Sequence, residues 1–163
     1  MRLLLFVLIA LSLTAAPALA DEKETVDTGK GLVFQKGEGW ATAKPRKGAV
    51  AVLTAAGDAT AQIEFRWARV EPDKVKQYFN SFHSSLATSL KRIGEPQQKT
   101  YGKVSGTFTE YETGSGGAST VVVFQFAKDD ATWLVVGMFP KDARDSRVKE
   151  LEKMLATVVV SGA

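Results

Sequence analysis

The sequence predicts an α+β fold: an antiparallel β-sheet of about six or seven strands, with one long central helix and a C-terminal helix on opposite faces. Three observations predict it. Ala61 to Arg69 alternates Ile63, Phe65 and Trp67 with Gln62, Glu64 and Arg66, the period of two of a half-buried strand. From Pro72 the apolar spacing switches to three and four, which is helical. The strands that follow are joined by short polar turns, which suit antiparallel neighbours.

In order along the chain, Leu32 to Gln35 is a short strand, Gly37-Glu38-Gly39 a turn, and Trp40 to Ala43 a second strand. Lys44-Pro45-Arg46-Lys47-Gly48 breaks the pattern, and Ala49 to Thr54 resumes it. Pro72 suits a first helical turn, and the acids Glu71 and Asp73 complement the helix dipole. Val75, Phe79, Phe82, Leu86, Leu90 and Ile93 then mark one face, with Gly94 and Pro96 as stop signals, so the helix is predicted over Pro72 to Ile93. Thr100 to Thr113, Ser119 to Ala127 and Ala131 to Phe139 read as three strands. Val121 to Phe124 and Trp133 to Val136 are apolar on both parities, which predicts central strands covered on both faces. Asp142 or Asp145 is placed to cap a second helix with the face Val148, Leu151, Leu155 and Val158. Val158 to Val160 can alternatively close the chain as an edge strand.

Met1 to Ala20 has the form of a cleaved signal peptide. Arg2 supplies the positive start, Leu3 to Leu13 the apolar stretch, and Ala18-Leu19-Ala20 the small residues of a cleavage site. Leu3 to Leu13 is too short to span about 30 Å of hydrocarbon as a helix. Cleavage between Ala20 and Asp21 is therefore expected, giving a periplasmic or secreted protein. Residues 21–30 are polar and aperiodic and are expected to form a flexible arm, and residues 31–163 a single domain.

The 163 residues are 45% hydrophobic overall, but beyond the leader the figure falls to about 40%, slightly lean for a globular domain. The formal charge of +3 falls to +2 without Arg2. That small charge and the export signal speak against a nucleic-acid partner. The absence of cysteine excludes a disulfide, a thiolate nucleophile and a lipid-modified Cys anchor, and a solitary histidine, His83, excludes a two-histidine metal site within one chain. No cofactor is expected.

The opening strand Leu32-Val33-Phe34, a turn and Gly39-Trp40 resemble a known superfamily. So do the meander with Ile63-Glu64-Phe65, the long helix from Pro72, the hairpin around Lys128-Asp129-Asp130 and the closing helix. The superfamily is the one shared by PsbP, the DcrB-like periplasmic proteins and the Ran-release factors, and the resemblance covers roughly Gly31 to Ser161. It implies a non-enzymatic accessory or binding protein, often attached to membrane complexes.

Several candidate sites follow from the residues. Lys44, Arg46 and Lys47 form a basic loop suited to an acidic partner or anionic headgroups. Ser81, Ser84, Ser85 and Thr88 give the long helix a hydroxyl-rich outer face that a partner could approach closely. Together they suggest contact with an envelope protein complex or a membrane-associated partner. Alternatively, Trp67, Phe79 and Phe82 could line a pocket between sheet and helix for a small apolar or lipidic ligand. A third reading centres a hydrolase on His83, although no nucleophile elbow accompanies it. Gly114-Ser115-Gly116-Gly117 precedes a strand rather than a helix, so it reads as a hairpin connection and not a phosphate loop. Glu110 and Glu112, two apart in a strand, project from one face without the ligand density of a calcium site.

Overall fold

The computed structural model describes residues 24–113 and 118–161. The expected signal peptide, its cleavage site at Ala20 and Asp21, and the Gly114–Gly117 connection lie outside the described residues. The described residues form ten strands and two α-helices: β1 (Thr25–Asp27), β2 (Leu32–Gln35), β3 (Trp40–Ala43), β4 (Ala51–Ala55), β5 (Asp58–Arg69), α1 (Val75–Ala87), β6 (Leu90–Tyr101), β7 (Val104–Thr113), β8 (Ser119–Lys128), β9 (Ala131–Pro140), α2 (Arg144–Leu155) and β10 (Val159–Val160). Seven strands make one antiparallel sheet in the order β3-β4-β5-β9-β8-β7-β6, and a smaller sheet has the order β1-β2-β10. Part of the expected flexible arm is thus structured, because Val26 is buried against the core and pairs with Phe34.

β8 and β9 occupy the middle of the large sheet, as their two apolar parities require. Val122, Phe124, Phe126, Trp133, Val135 and Phe139 face one side, where the small sheet and Val148, Leu151, Met154 and Leu155 of α2 cover them. Phe34 of the small sheet stacks on Phe65 at 4.2 Å between centroids. Val121, Val123 and Leu134 face the other side, under Phe79, Phe82 and Leu86 of α1. The helices therefore lie on opposite faces. Asp129, at φ 56, turns the β8–β9 hairpin in the left-handed conformation that Asp tolerates better than most residues.

The first helix is shorter than its periodicity suggests. A single 3₁₀ turn, Pro72–Lys74, leads into α1, which ends at Ala87, where Thr88 folds its hydroxyl back to the Ser85 carbonyl at 2.7 Å. Leu90 to Tyr101 is a strand, paired with β7 from Leu90↔Thr113 to Tyr101↔Val104. Gly94 (φ 67) and Pro96, which have the appearance of helix stop signals, instead form an irregularity at which the register shifts between Ile93 and Gln97. The segment predicted as one strand from Thr100 turns at Gly102-Lys103 before β7 begins. The physical reason is non-local: Leu90 and the groups beyond it pair with β7, and a hydrogen-bonded ladder outweighs a two-residue extension of the helical stripe. Neither Asp142 nor Asp145 caps α2. Its N-cap is Ala143, without a side-chain bond, and Asp145 sits in the first turn beside Arg144.

Polar ties fasten α2 to the sheet. Arg144 binds Glu110 of β7, Trp40 Nε1 donates to Glu150 at 2.9 Å, and Glu152 accepts from Lys99 (2.8 Å) and Tyr101 (2.7 Å) of β6. Burial works to raise the Glu152 carboxyl, but the bonds from Lys99 and Tyr101 outweigh it and hold the group below its ordinary value of 4.5. Burial, with Glu152 beside it, pushes the Tyr101 phenol up, so it stays a donor. A carboxyl depressed in the folded state contributes stability above its unfolded value and loses it as pH falls through its folded one. Acidification below about pH 4.5 should therefore cost wild-type stability that Glu152→Gln does not lose. Urea midpoints measured between about pH 7 and 3 check this, and parallel pH profiles for the two proteins would contradict it.

Candidate functional site

Lys44 to Gly48 joins β3 to β4, and every residue from Ala41 to Gly48 is exposed. The loop is closed by the Ala49 N–H, which donates to the Arg46 carbonyl at 3.0 Å, and Gly48 takes φ 86. Arg46 turns inward onto β5, donating to Gln62 at 2.5 Å and lying 3.8 Å from Glu64. Glu64 is largely enclosed and is held from the other side by Arg66 at 2.7 Å. A methyl group built on Gly48 would stand 3.8 Å from the Arg66 guanidinium, so the loop passes directly beside that side chain. One carboxylate thus anchors two guanidiniums, and Lys44 and Lys47 flank them in the loop. Arg66 belongs to this basic patch although it was not singled out in the sequence. The available signal was the polar face of β5, where Gln62, Glu64 and Arg66 recur every second residue. The α1 helix starts next to the patch: burial raises the Tyr78 phenol above its usual value, and the positive charge of Arg66 opposes that rise.

The hydroxyl-rich face is exposed at Ser81, Ser84, Ser85 and Thr88. Ser81 and Ser84 border a shallow depression of about 600 Å³ with Asp73, Lys76, Gln77 and Asn80. Thr88 is occupied by its bond to Ser85, so it closes the helix rather than extending that depression.

The three aromatic residues expected to share a pocket are not brought together. Phe79 and Phe82 pack under α1, while Trp67 lies on the other side of the sheet, directly across from Trp133. Residues two apart in β5 share a face, and Trp67 follows Phe65 into the larger cluster. Lys30 covers the Trp67 ring at 4.9 Å. A different groove, of about 290 Å³, runs between β10 and the β7 and β8 ends. Val104, Phe126, Val159 and Val160 form its apolar lining, and Lys103 and Lys128 are cations at it.

His83 is half-buried between α1 and the sheet, its Nδ1 against the Tyr111 hydroxyl and its Nε2 against the Gln125 side-chain oxygen. Both ring nitrogens are thus within hydrogen-bond reach of side chains of the sheet. Ser84 and Ser85 are exposed and cannot share a helical face with it. The ring therefore pins the helix to β7 and β8. Glu110 and Glu112 are separately engaged, by Arg144 and by Lys91 at 3.7 Å. Among the described residues no group of three His, Cys, Asp or Glu side chains could hold a metal ion, and no helix is long and apolar enough to cross a membrane.

No family model matches the sequence, and no curated protein sequence is significantly similar to it. Solved structures are similar in fold. The cyanobacterial PsbP (CyanoP) of Synechocystis sp. PCC 6803 aligns with a TM-score of 0.64 at 10% identity, covering 91% of this chain and 99% of that one. The fold is PsbP-like. LpqN of Mycobacterium tuberculosis, described as involved in cell envelope biogenesis, aligns with a TM-score of 0.60 at 12% identity over 88% of each chain. A protein of Bacteroides thetaiotaomicron VPI-5482 aligns with a TM-score of 0.59 at 12% identity over 81% of this chain, which spans 46% of that protein's length. The PsbP-like fold positions the basic loop at one edge of the large sheet and the α1 outer face above it. At these identities the likeness speaks to fold alone, and the site's chemistry rests on the side chains described above.

Proposed function

We propose that this chain is an exported, non-enzymatic binding protein that serves as an accessory to a protein complex of the bacterial cell envelope. The observation that carries the reading is the basic patch, in which Lys44, Arg46 and Lys47 stand exposed around the anchored pair Arg66 and Glu64. Such a patch matches an acidic protein surface, where charge steers encounter and sets register. The engagement of both His83 ring nitrogens favours this reading over a hydrolase. The similarity of fold to LpqN, described as involved in cell envelope biogenesis, supports the envelope setting.

Crosslinking in intact cells followed by identification of the attached proteins tests the proposal. Wild-type protein is expected to recover a defined envelope partner. The triple reversal Lys44→Glu, Arg46→Glu, Lys47→Glu is expected to lower that recovery about tenfold or more, since each charge near an opposite surface contributes on the order of 1 kcal/mol. Recovery of wild type only as an uncrosslinked monomer overturns the reading, as does a triple variant that recovers the partner undiminished.

A second reading, a carrier of a small apolar anion, rests on the groove lined by Val104, Phe126 and Val159 together with Lys103 and Lys128, the latter donating to the Val160 carbonyl at 2.7 Å. Native mass spectrometry of protein purified from its own cells distinguishes it. A co-purified amphiphile supports this reading, and mass equal to the bare chain rules it out.

A further inference from the structure

The groove between β10 and the ends of β7 and β8 carries charge of one sign. Lys103 and Lys128 stand at it, and no acidic side chain lines it. The groove between β2 and α2 also has two lysines, Lys36 and Lys153, but there Glu38 and Glu150 balance them. The apolar wall of the β10 groove is made by Val104 and Phe126, both buried, and by Val159, which is 57% exposed. A cationic rim beside an apolar wall is complementary to an anion that bears an apolar chain.

The main chain of β10 adds a donor to this rim. β10 is the outer strand of the small sheet. The Ser161 N–H donates to the Gly31 carbonyl at 2.8 Å, and the register places Val160 opposite Leu32 and Val159 opposite Val33. Antiparallel pairs alternate between bonded and non-bonded, so Val159 and Ser161 bond to β2, while the N–H and C=O of Val160 both point away from it. Leu32 agrees with this alternation, since its carbonyl turns the other way and accepts from the Thr28 N–H at 3.0 Å. Lys128 reaches over from β8 and donates to the Val160 carbonyl at 2.7 Å, standing where the N–H of a neighbouring strand would stand. The Val160 N–H finds no acceptor among the described residues. An ammonium group has three donors, and the bond to Val160 uses one of those on Lys128.

We propose that this groove binds the carboxylate of a single-chain amphiphile, with one oxygen on the Val160 N–H and the other on Lys128 Nζ. The chain lies along Phe126 and Val159, and Lys103 adds its charge at the rim. This assignment rests on the carrier reading of the same groove and adds to it the head group and the two donors that hold it. A carboxylate has two acceptor oxygens, which match one main-chain donor and one charged donor held close to the same residue. The bond to Val160 holds the Lys128 ammonium in place beforehand, so less side-chain freedom is lost when the anion arrives. The groove, at about 290 Å³, is at the lower end of small-molecule pockets, with room for one short chain rather than two.

Octanoate is the probe. Titration calorimetry of purified wild type should show one site per chain. Butanoate should bind about tenfold or more weaker, because each buried methylene contributes roughly fourfold. Octanol, which lacks the charge, should also bind about tenfold or more weaker. Val160→Pro removes one N–H that β2 does not use, at an edge position where proline is tolerated, and should weaken octanoate about tenfold. Val160→Ala keeps that N–H and should weaken it less. Lys128→Met keeps the length of the side chain without its charge and should cost about tenfold or more. Lys153→Met, at the charge-balanced groove, should leave octanoate binding unchanged. Circular dichroism should keep its wild-type form in all four variants. Tighter binding of octyl sulfate than of octanoate, or wild-type affinity for octanoate in Val160→Pro and Lys128→Met, overturns the carboxylate assignment and leaves the groove a carrier site. Octanol that matches octanoate, or the failure of both anions to bind, overturns the carrier reading as well.

Discussion

Trp133→Ala is expected to lower the unfolding free energy by about 3–5 kcal/mol, most of what a domain of this size has to spare. Trp133 is fully buried in the middle of the large sheet, stacked on Phe126 at 6.3 Å and paired across strands with Trp67. Its removal leaves a void that two packed strands cannot close. The companion variant Trp133→Phe separates volume from polarity. The buried indole N–H of Trp133 meets no acceptor among the described residues, and removing such a group returns about 1–3 kcal/mol. That gain opposes the lost apolar area, so Trp133→Phe should change stability by only about 1 kcal/mol. Urea denaturation of the two variants checks the pair. A Phe variant as unstable as the Ala variant would mean that the indole N–H has a partner after all.

Gly106→Ala should cost about 3 kcal/mol or more, at the upper end of overpacking effects. A methyl group there would stand 2.2 Å from the Gln125 carbonyl oxygen and 3.0 Å from the Phe124 ring. The near atom belongs to the backbone of β8, which pairs on its other side with β9, so it cannot retreat without parting the ladder. Gly57→Ala provides the contrast. Gly57 has φ 77 but open space around its Cβ position, so only the left-handed backbone is penalised, at about 1–2 kcal/mol. Thermal and urea melts of both variants rank the two costs. An equal loss at the two positions would mean that β7 and β8 can separate freely.

The segments legible from sequence are those whose pattern is local and repeated. β5 announces itself by strict alternation, α2 by Val148, Leu151 and Leu155 at helical spacing, and β8 and β9 by apolar residues on both parities with Asp129-Asp130 between them. The end of α1 was not legible, because Leu90 and Ile93 satisfy a helical spacing and also fit a strand. Gly94 and Pro96 serve equally as helix stops and as a strand irregularity. The basic loop could be read directly, since a run of Lys and Arg around a proline needs no fold to be exposed. Arg66 could not be assigned to it, nor Trp67 separated from Phe79 and Phe82, without the crossing of β5 and α1 in space.

By itself, then, the amino-acid order determined the α+β class, the strand and helix types wherever their periods are unambiguous, and the positions of the basic loop and of the single histidine. These properties follow from backbone geometry acting within a few residues. The tertiary structure alone decided that residues 90–101 are a strand, that His83 is pinned by Tyr111 and Gln125, that Arg46 lies against Glu64, and that β3 and β6 are the edges of the large sheet. Each of these depends on partners distant in sequence. A hydrogen-bonded ladder or an enclosed ion pair between such partners outweighs the local preference of any short segment.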